Sequence, residues 1–316
     1  MKNTSIKFLL GLVLGLCFFN VQAQQDAQYT QYMYNTLSVN PAYAGSRDVF
    51  SFVGLYRTQW VGLEGAPDTF TASMHTPLSE SVGVGLNLTN DRIFITNETY
   101  IDIDFSYTIK TSSEGEGKLA FGLKAGGHFL DIDTQRAIRG PYNINDANSQ
   151  INIDNKFSPQ FGLGLYYYTS KFYVGLSAPN ILETKHFDEN SVNNGSFATA
   201  KERINLYLIA GKVFEISEDI DFKPAVLFKA VEGAPLKADL SANFLFNKKL
   251  TAGLAYRWSA ALSAHLGFQI SDELMIGLGY DRETTELQRY NDGSYEIFLR
   301  YELFKSNNRM VSPRFF

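Results

Sequence analysis

The stretch VGVGLNLT, residues 82–89, decides the fold. In an extended chain, successive side chains point to opposite faces. Val82, Val84, Leu86 and Leu88 therefore share one face, and Gly83, Gly85, Asn87 and Thr89 the other. The rhythm returns in IDIDFSY (101–107), where Ile101, Ile103, Phe105 and Tyr107 oppose Asp102, Asp104 and Ser106. LAFGLKAGGHF (119–129) repeats it with Lys124 and His128 on the polar side. ALSAHLGFQI (261–270), LMIGLGYD (274–281) and YEIFLRYEL (295–303) do the same. From Asp48 onward the apolar period is two, not 3.6.

The second face separates two kinds of all-β protein. It carries glycine, small polar residues and a few charges, where a solvated strand face would carry Lys and Glu. That suits a filled or watery lumen. Aromatics are abundant, with 25 Phe, 18 Tyr and 2 Trp. Many stand near strand ends, as at Tyr166 to Tyr168, Tyr256, Trp258, Tyr280 and Tyr301, which suits interfacial girdles. A soluble all-β protein with aromatic cross-strand pairs is the competing reading. The expectation is a transmembrane antiparallel β-barrel of about 14 strands, each roughly 9–13 residues, enough for a tilted strand to cross a bilayer. The strands begin near residues 48, 67, 81, 97, 117, 157, 171, 201, 219, 236, 249, 261, 273 and 293. An even number fits a single-chain bacterial barrel.

The connections test this independently. With both termini in the periplasm, even-numbered connections should be tight turns and odd ones free to be long. PLSES, KTSSEGEG, TSK, EISED, NKK and SDE fall on even positions, all short and polar. The longest connections, 131–156, 179–200 and 282–292, all fall on odd ones. A sandwich has no reason to sort its loops this way.

The chain start gives the compartment. Lys2 and Lys7 precede FLLGLVLGLCFF (8–19), and VQA (21–23) offers small residues for cleavage, so 1–23 reads as a secretory signal peptide. A lipoprotein reading of LGLC is the alternative, with Leu16 bulky for it. Losing Lys2 and Lys7 takes the formal charge from −5 to −7, which argues against nucleic acid as a partner. The single cysteine, Cys17, lies in the discarded part, leaving no disulfide and no Cys metal ligand. Residues 24–46 are too polar for a strand in lipid and too aromatic for a plain linker. They read as an ordered periplasmic segment that plugs or laces the barrel base, with a disordered tether as the alternative. The barrel then spans 47–304 and a tail covers 305–316.

Chemistry is sparse. His75, His128, His186 and His265 form no metal spacing, and no cofactor is expected. Asp102 and Asp104 share a face roughly 7 Å apart, which suits a lumen salt network better than acid/base work. Ser73 and His75 share a strand face, the barest hint of a membrane hydrolase. The segments LEGAP (63–67) and VEGAP (231–235) lie in connections at one end of the barrel. Gly65 and Gly233 permit unusual φ while Pro67 and Pro235 end pairing, so each is a recurring hairpin corner or a binding element.

QDAQYTQYMYNTLSVNPAYAG (25–45) and YRTQWVGLEGAPDTFTASMHTPL (56–78) resemble the PorP/SprF family of outer-membrane proteins from the Bacteroidetes. So do GAPLKADLSANFLFNKKLTAGLAYR (233–257) and the ending SPRFF (312–316). The resemblance covers the whole mature chain. It implies a non-enzymatic barrel of the type IX secretion system, assisting secretion or surface anchoring of large cargo proteins, including gliding adhesins. Outer-membrane lipid, other secretion components and the cargo would be its partners. Its motifs supply the candidate partner-binding or structural residues Asn40, Pro41, Tyr43, Gly45, Arg57, Gln59, Trp60, Glu64, Gly65, Pro67, Gly233, Pro235 and Arg257. Of these, Arg57, Gln59 and Trp60 are expected at an outward corner bracing the first strand pair. A passive channel for a small or hydrophobic solute is the alternative function.

Overall fold

The computed structural model describes residues 32–111, 117–134, 152–182 and 204–303. The expected signal peptide 1–23 and tail 305–316 lie outside the described residues. The strands are β1 (Phe50–Thr58), β2 (Asp68–Pro77), β3 (Val82–Ile93), β4 (Thr96–Lys110), β5 (Lys118–Ile132), β6 (Ile153–Tyr168), β7 (Phe172–Ala178) and β8 (Asn205–Lys212). They continue as β9 (Phe214–Ser217), β10 (Ile220–Val231), β11 (Lys237–Phe246), β12 (Leu250–Arg257), β13 (Ala261–Gln269), β14 (Leu274–Glu283) and β15 (Ser294–Leu303).

Each strand pairs antiparallel with its neighbours, and β15 pairs with β1, so the sheet closes on itself. β8 and β9 both pair with β10 and form one stave interrupted at Val213. The register slips between Ile220 and Asp221, opposite Ile216, a bulge that bends the wall. The result is a closed barrel of 14 staves, the number the sequence predicts.

Phe50 pairs with Leu303, so the wall begins and ends at one rim. That rim carries the short connections, such as 78–81, 169–171 and 247–249, and at the opposite rim β5 ends at Ile132 and β6 begins at Ile153. β4, β5 and β6 run 15, 15 and 16 residues, longer than expected, because Ile132 still pairs with Ile153 inside the stretch read as loop.

Burial assigns the two faces. Ile103 is 62% exposed and Leu254 61%, while Asp104 and Asn243 are 0% exposed. Apolar residues point out and polar ones point in, the reverse of a water-soluble domain. A continuous apolar belt around the wall far exceeds the few hundred Å² that a soluble monomer exposes. The protein is a membrane-spanning barrel, and its packed core lies in the lumen.

Candidate functional site

Residues 32–46 run inside the barrel at the short-turn end. Tyr32, Met33, Tyr34, Leu37, Ala42, Tyr43 and Ala44 are buried there and form one cluster with wall residues including Leu55, Tyr166, Met275 and Phe298. The segment folds as a helical turn, Thr36–Val39, and a 3-10 turn, Pro41–Tyr43. Asn40 organises the junction. Its Oδ1 accepts from Ala42 N at 3.0 Å and its Nδ2 donates to Leu165 O at 3.0 Å. Pro41 opens the 3-10 turn, where its fixed φ fits and its missing N–H costs nothing.

Backbone polar groups taken from water need partners, and the wall supplies them. Ser177 Oγ donates to Val39 O at 2.6 Å and Ser106 Oγ to Ala44 O at 2.7 Å. Gly45 N donates to His75 Nδ1 at 3.1 Å, and Ser73 Oγ donates to Asn35 Oδ1 at 2.6 Å. Ser73 and His75, the hydrolase pair of the sequence reading, are therefore engaged in holding this plug.

The glycines of the polar face have the same purpose. A Cβ on Gly122 would stand 2.1 Å from Ala42 N, one on Gly164 2.2 Å from Asn40 Oδ1, and one on Gly83 2.3 Å from Ala44 O. The wall lacks side chains where the plug backbone lies against it. Rings complete the seal: Tyr34 stacks on Phe298 with centroids 4.0 Å apart, and Tyr43 meets His75 and Tyr166 edge-on at 5.3 and 5.5 Å. Burial raises the Tyr32 and Tyr34 phenols well above their ordinary pKa, so both remain neutral.

Towards the long-loop end the lumen is charged and paired. Arg57 lies 2.7 Å from Asp281 and 3.3 Å from Glu296. Lys124 lies between Asp102 at 3.3 Å and Asp104 at 3.2 Å, the salt network the spacing predicts. Arg257 meets Asp239 at 3.0 Å. His128 stacks on Tyr100 at 4.3 Å, with its Nε2 3.5 Å from Glu98. Among the described residues, no three His, Cys, Asp or Glu side chains gather so as to hold a metal.

The sequence-predicted residues separate into three places. Asn40, Pro41, Tyr43 and Gly45 belong to the plug. Arg57, Gln59 and Arg257 face the lumen and are buried. Arg57 reaches Glu296 on β15 and Asp281 on β14, so it ties the first strand to the last hairpin. The inward face of β1 also carries apolar Val53 and Leu55.

Trp60 sits at the long-loop rim with φ 47°. Its indole N–H donates to Glu283 at 3.0 Å and its backbone N–H to Ser294 Oγ at 3.2 Å. Gly65, at φ 77°, leaves room for the Phe94 ring, which a Cβ would approach to 2.7 Å. Pro67 closes this loop by accepting from Gln59 N at 2.9 Å, and Glu64 is exposed. Gly233, at φ 78°, and Pro235 form an exposed corner between β10 and β11, nearly opposite the first copy around the barrel.

No curated protein matches the sequence. Among solved structures, the chain is similar to Omp33 of Acinetobacter baumannii at 9% identity and TM-score 0.47, covering 81% of this chain and 98% of that one. It is also similar to the CymD monoaromatic hydrocarbon channel at 13% identity and TM-score 0.46, covering 86% and 93%. The family model for "Type IX secretion system membrane protein PorP/SprF" matches residues 21–301. A closed 14-stave wall, an NPAYAG turn seated in its lumen and a match over nearly the whole chain place the protein in the PorP/SprF family of type IX secretion system membrane proteins.

Proposed function

We propose that the protein is a non-enzymatic anchor of the type IX secretion system that holds secreted cargo, or the machinery delivering it, at the outer membrane. The short-turn rim faces the periplasm, as in barrels of this kind, and the rim that carries Trp60 faces the exterior. The occupied lumen carries this reading. A barrel whose periplasmic half is packed with its own residues 32–46 has that half of its lumen occupied, and that counts against the passive channel. The wall then serves as a rigid frame presenting two surfaces. One is the loop array built on Trp60, Gly65 and Pro67 outside; the other is the plug and its rim inside.

Trp and Arg are residue types that concentrate binding energy. Here Arg57 is committed to the seam, which leaves Trp60 and the exposed Glu64, Gly233 and Pro235 corners for outward contacts. Deleting the gene is expected to leave a specific large surface protein unsecreted or shed into the medium. If every surface protein stays in place, the anchoring role fails. Planar bilayers containing the intact protein are expected to show no stable unitary conductance; steady channels would favour the solute pathway.

A further inference from the structure

The short-turn rim holds a cavity of about 390 Å³ that neither the plug nor the family membership accounts for. It opens between the β11–β12 and β13–β14 turns, and its floor is reached by Arg47, Arg300 and Glu302. The charges do not balance. Arg47, Lys248, Lys249 and Arg300 line it against only Asp272 and Glu302, in a chain whose formal charge is −5.

Glu302 is already spent on a fork-to-fork pair with Arg47, whose Nη2 is 3.1 Å from Oε2. Arg300 is left with Glu302 Oε2 at 3.8 Å from its Nε, beyond hydrogen-bond reach. The Arg300 side chain is 7% exposed and its Nη1 has no hydrogen-bond partner. A buried guanidinium short of acceptors is costly, and an anion supplied from outside would remove the cost.

The turn above it carries a second signal. Asn247 and Lys248 both adopt positive φ, 48° and 55°, and Lys249 N donates to Phe246 O at 2.9 Å. This is a type I′ hairpin, whose second central position favours glycine. Here that position holds a lysine at the cavity mouth. The rest of the lining mixes the apolar Leu245, Ile270 and Met275 with the polar Asn247, Thr251, Gln269 and Ser271. A bare phosphate would leave the three apolar side chains unused.

We propose that this cavity binds a carboxylate attached to a compact apolar group, with Arg300 forking the carboxylate, Lys248 and Lys249 closing over it, and the apolar body against Leu245, Ile270 and Met275. A guanidinium matches a carboxylate bidentately. The volume lies at the small end of ligand pockets, which suits one hydrophobic residue at a peptide terminus or a short fatty acid. The inference does not depend on the anchoring role: the site could be occupied whether or not cargo is held.

The test uses the full folded chain in detergent and titrates N-acetyl-phenylalanine, its amide and octanoate by calorimetry. The acids are expected to bind and the amide to bind at least about tenfold more weakly, the value of one charge-assisted hydrogen bond. Arg300→Gln is expected to lose a similar factor for the acids. The exposed-turn variant Lys248→Asn, which disturbs no packing, is expected to weaken them by a few-fold. Tighter binding of octanoate would assign a lipid-derived acid, and tighter binding of the acetylated residue a peptide terminus. The proposal is overturned if neither acid binds, if the amide binds as well as the acid, or if Lys248→Asn and a folded Arg300→Gln both bind as the parent does.

Discussion

Arg57 on the first strand of the barrel lies 2.7 Å from Asp281 on the fourteenth, reaching across the strand between them, which contributes Glu296 at 3.3 Å. One cation thus spans the seam where the last hairpin closes onto the first strand. All three side chains are at most 2% exposed, so the charges stabilise only as a set.

Arg57→Ala should cost about 3–5 kcal/mol, because it strands two buried carboxylates. Adding Asp281→Asn and Glu296→Gln to the same chain should recover much of the loss. Urea unfolding of detergent-folded protein, followed by tryptophan fluorescence, reads both. A single variant as stable as the parent would show that the seam does not need its cation.

The plug has its own weak point at Asn40. Asn40→Ala removes two buried hydrogen bonds and should destabilise by about 1–3 kcal/mol. Asn40→Asp keeps the acceptor for Ala42 N but turns an ionised oxygen towards Leu165 O. Its folded-state carboxyl should be raised above the usual value of about 3.9. The variant should then regain stability as pH falls through that raised pKa, where the protonated group donates to Leu165. A pH-independent deficit would count against the contact.

A side chain at Gly122 should evict the plug without disturbing the wall, since valine there runs into Ala42. Ser46→Cys, a near-isosteric reporter at a buried site, should resist maleimide in the parent and react promptly beside Gly122→Val. Equal protection in both would mean that the segment does not rest on this glycine.

Lipid contact is tested on the outer face. Ile103→Arg near the middle of β4 should cost about 2–4 kcal/mol in bilayers, whereas Glu64→Arg at the loop rim should change stability by under about 0.5 kcal/mol. Folding titrations into vesicles distinguish them. Carbonate at high pH should leave the parent protein in the membrane pellet.

The wall was legible in the sequence because lipid imposes a strict two-residue code. Most strand starts fall within a residue or two of the alternation's first apolar position; β6 and β8 each begin about four residues away from it. The polar, loop-like composition around Asp131 and Lys156 concealed the continued pairing of β5 with β6. Glycine on the inner face was readable as small, but not as a berth. Gly122 and Gly164 meet Ala42 and Asn40, residues too distant in sequence for any local pattern to link them. The partners of Arg57 were not legible, because Asp281 and Glu296 lie more than 220 residues away on the last hairpin. The cavity beside Arg300 had no signature at all, since its cations come from a turn and from the final strand.

The hydrogen bond from Asn40 to Leu165 joins residues 125 positions apart. The plug precedes the sixth strand, which holds its anchoring carbonyl, so its seat is incomplete until nearly half the wall has assembled. Contacts of such long range slow maturation. A chaperone or insertase working on this protein therefore has to shelter those early tyrosines until the cylinder has formed around them.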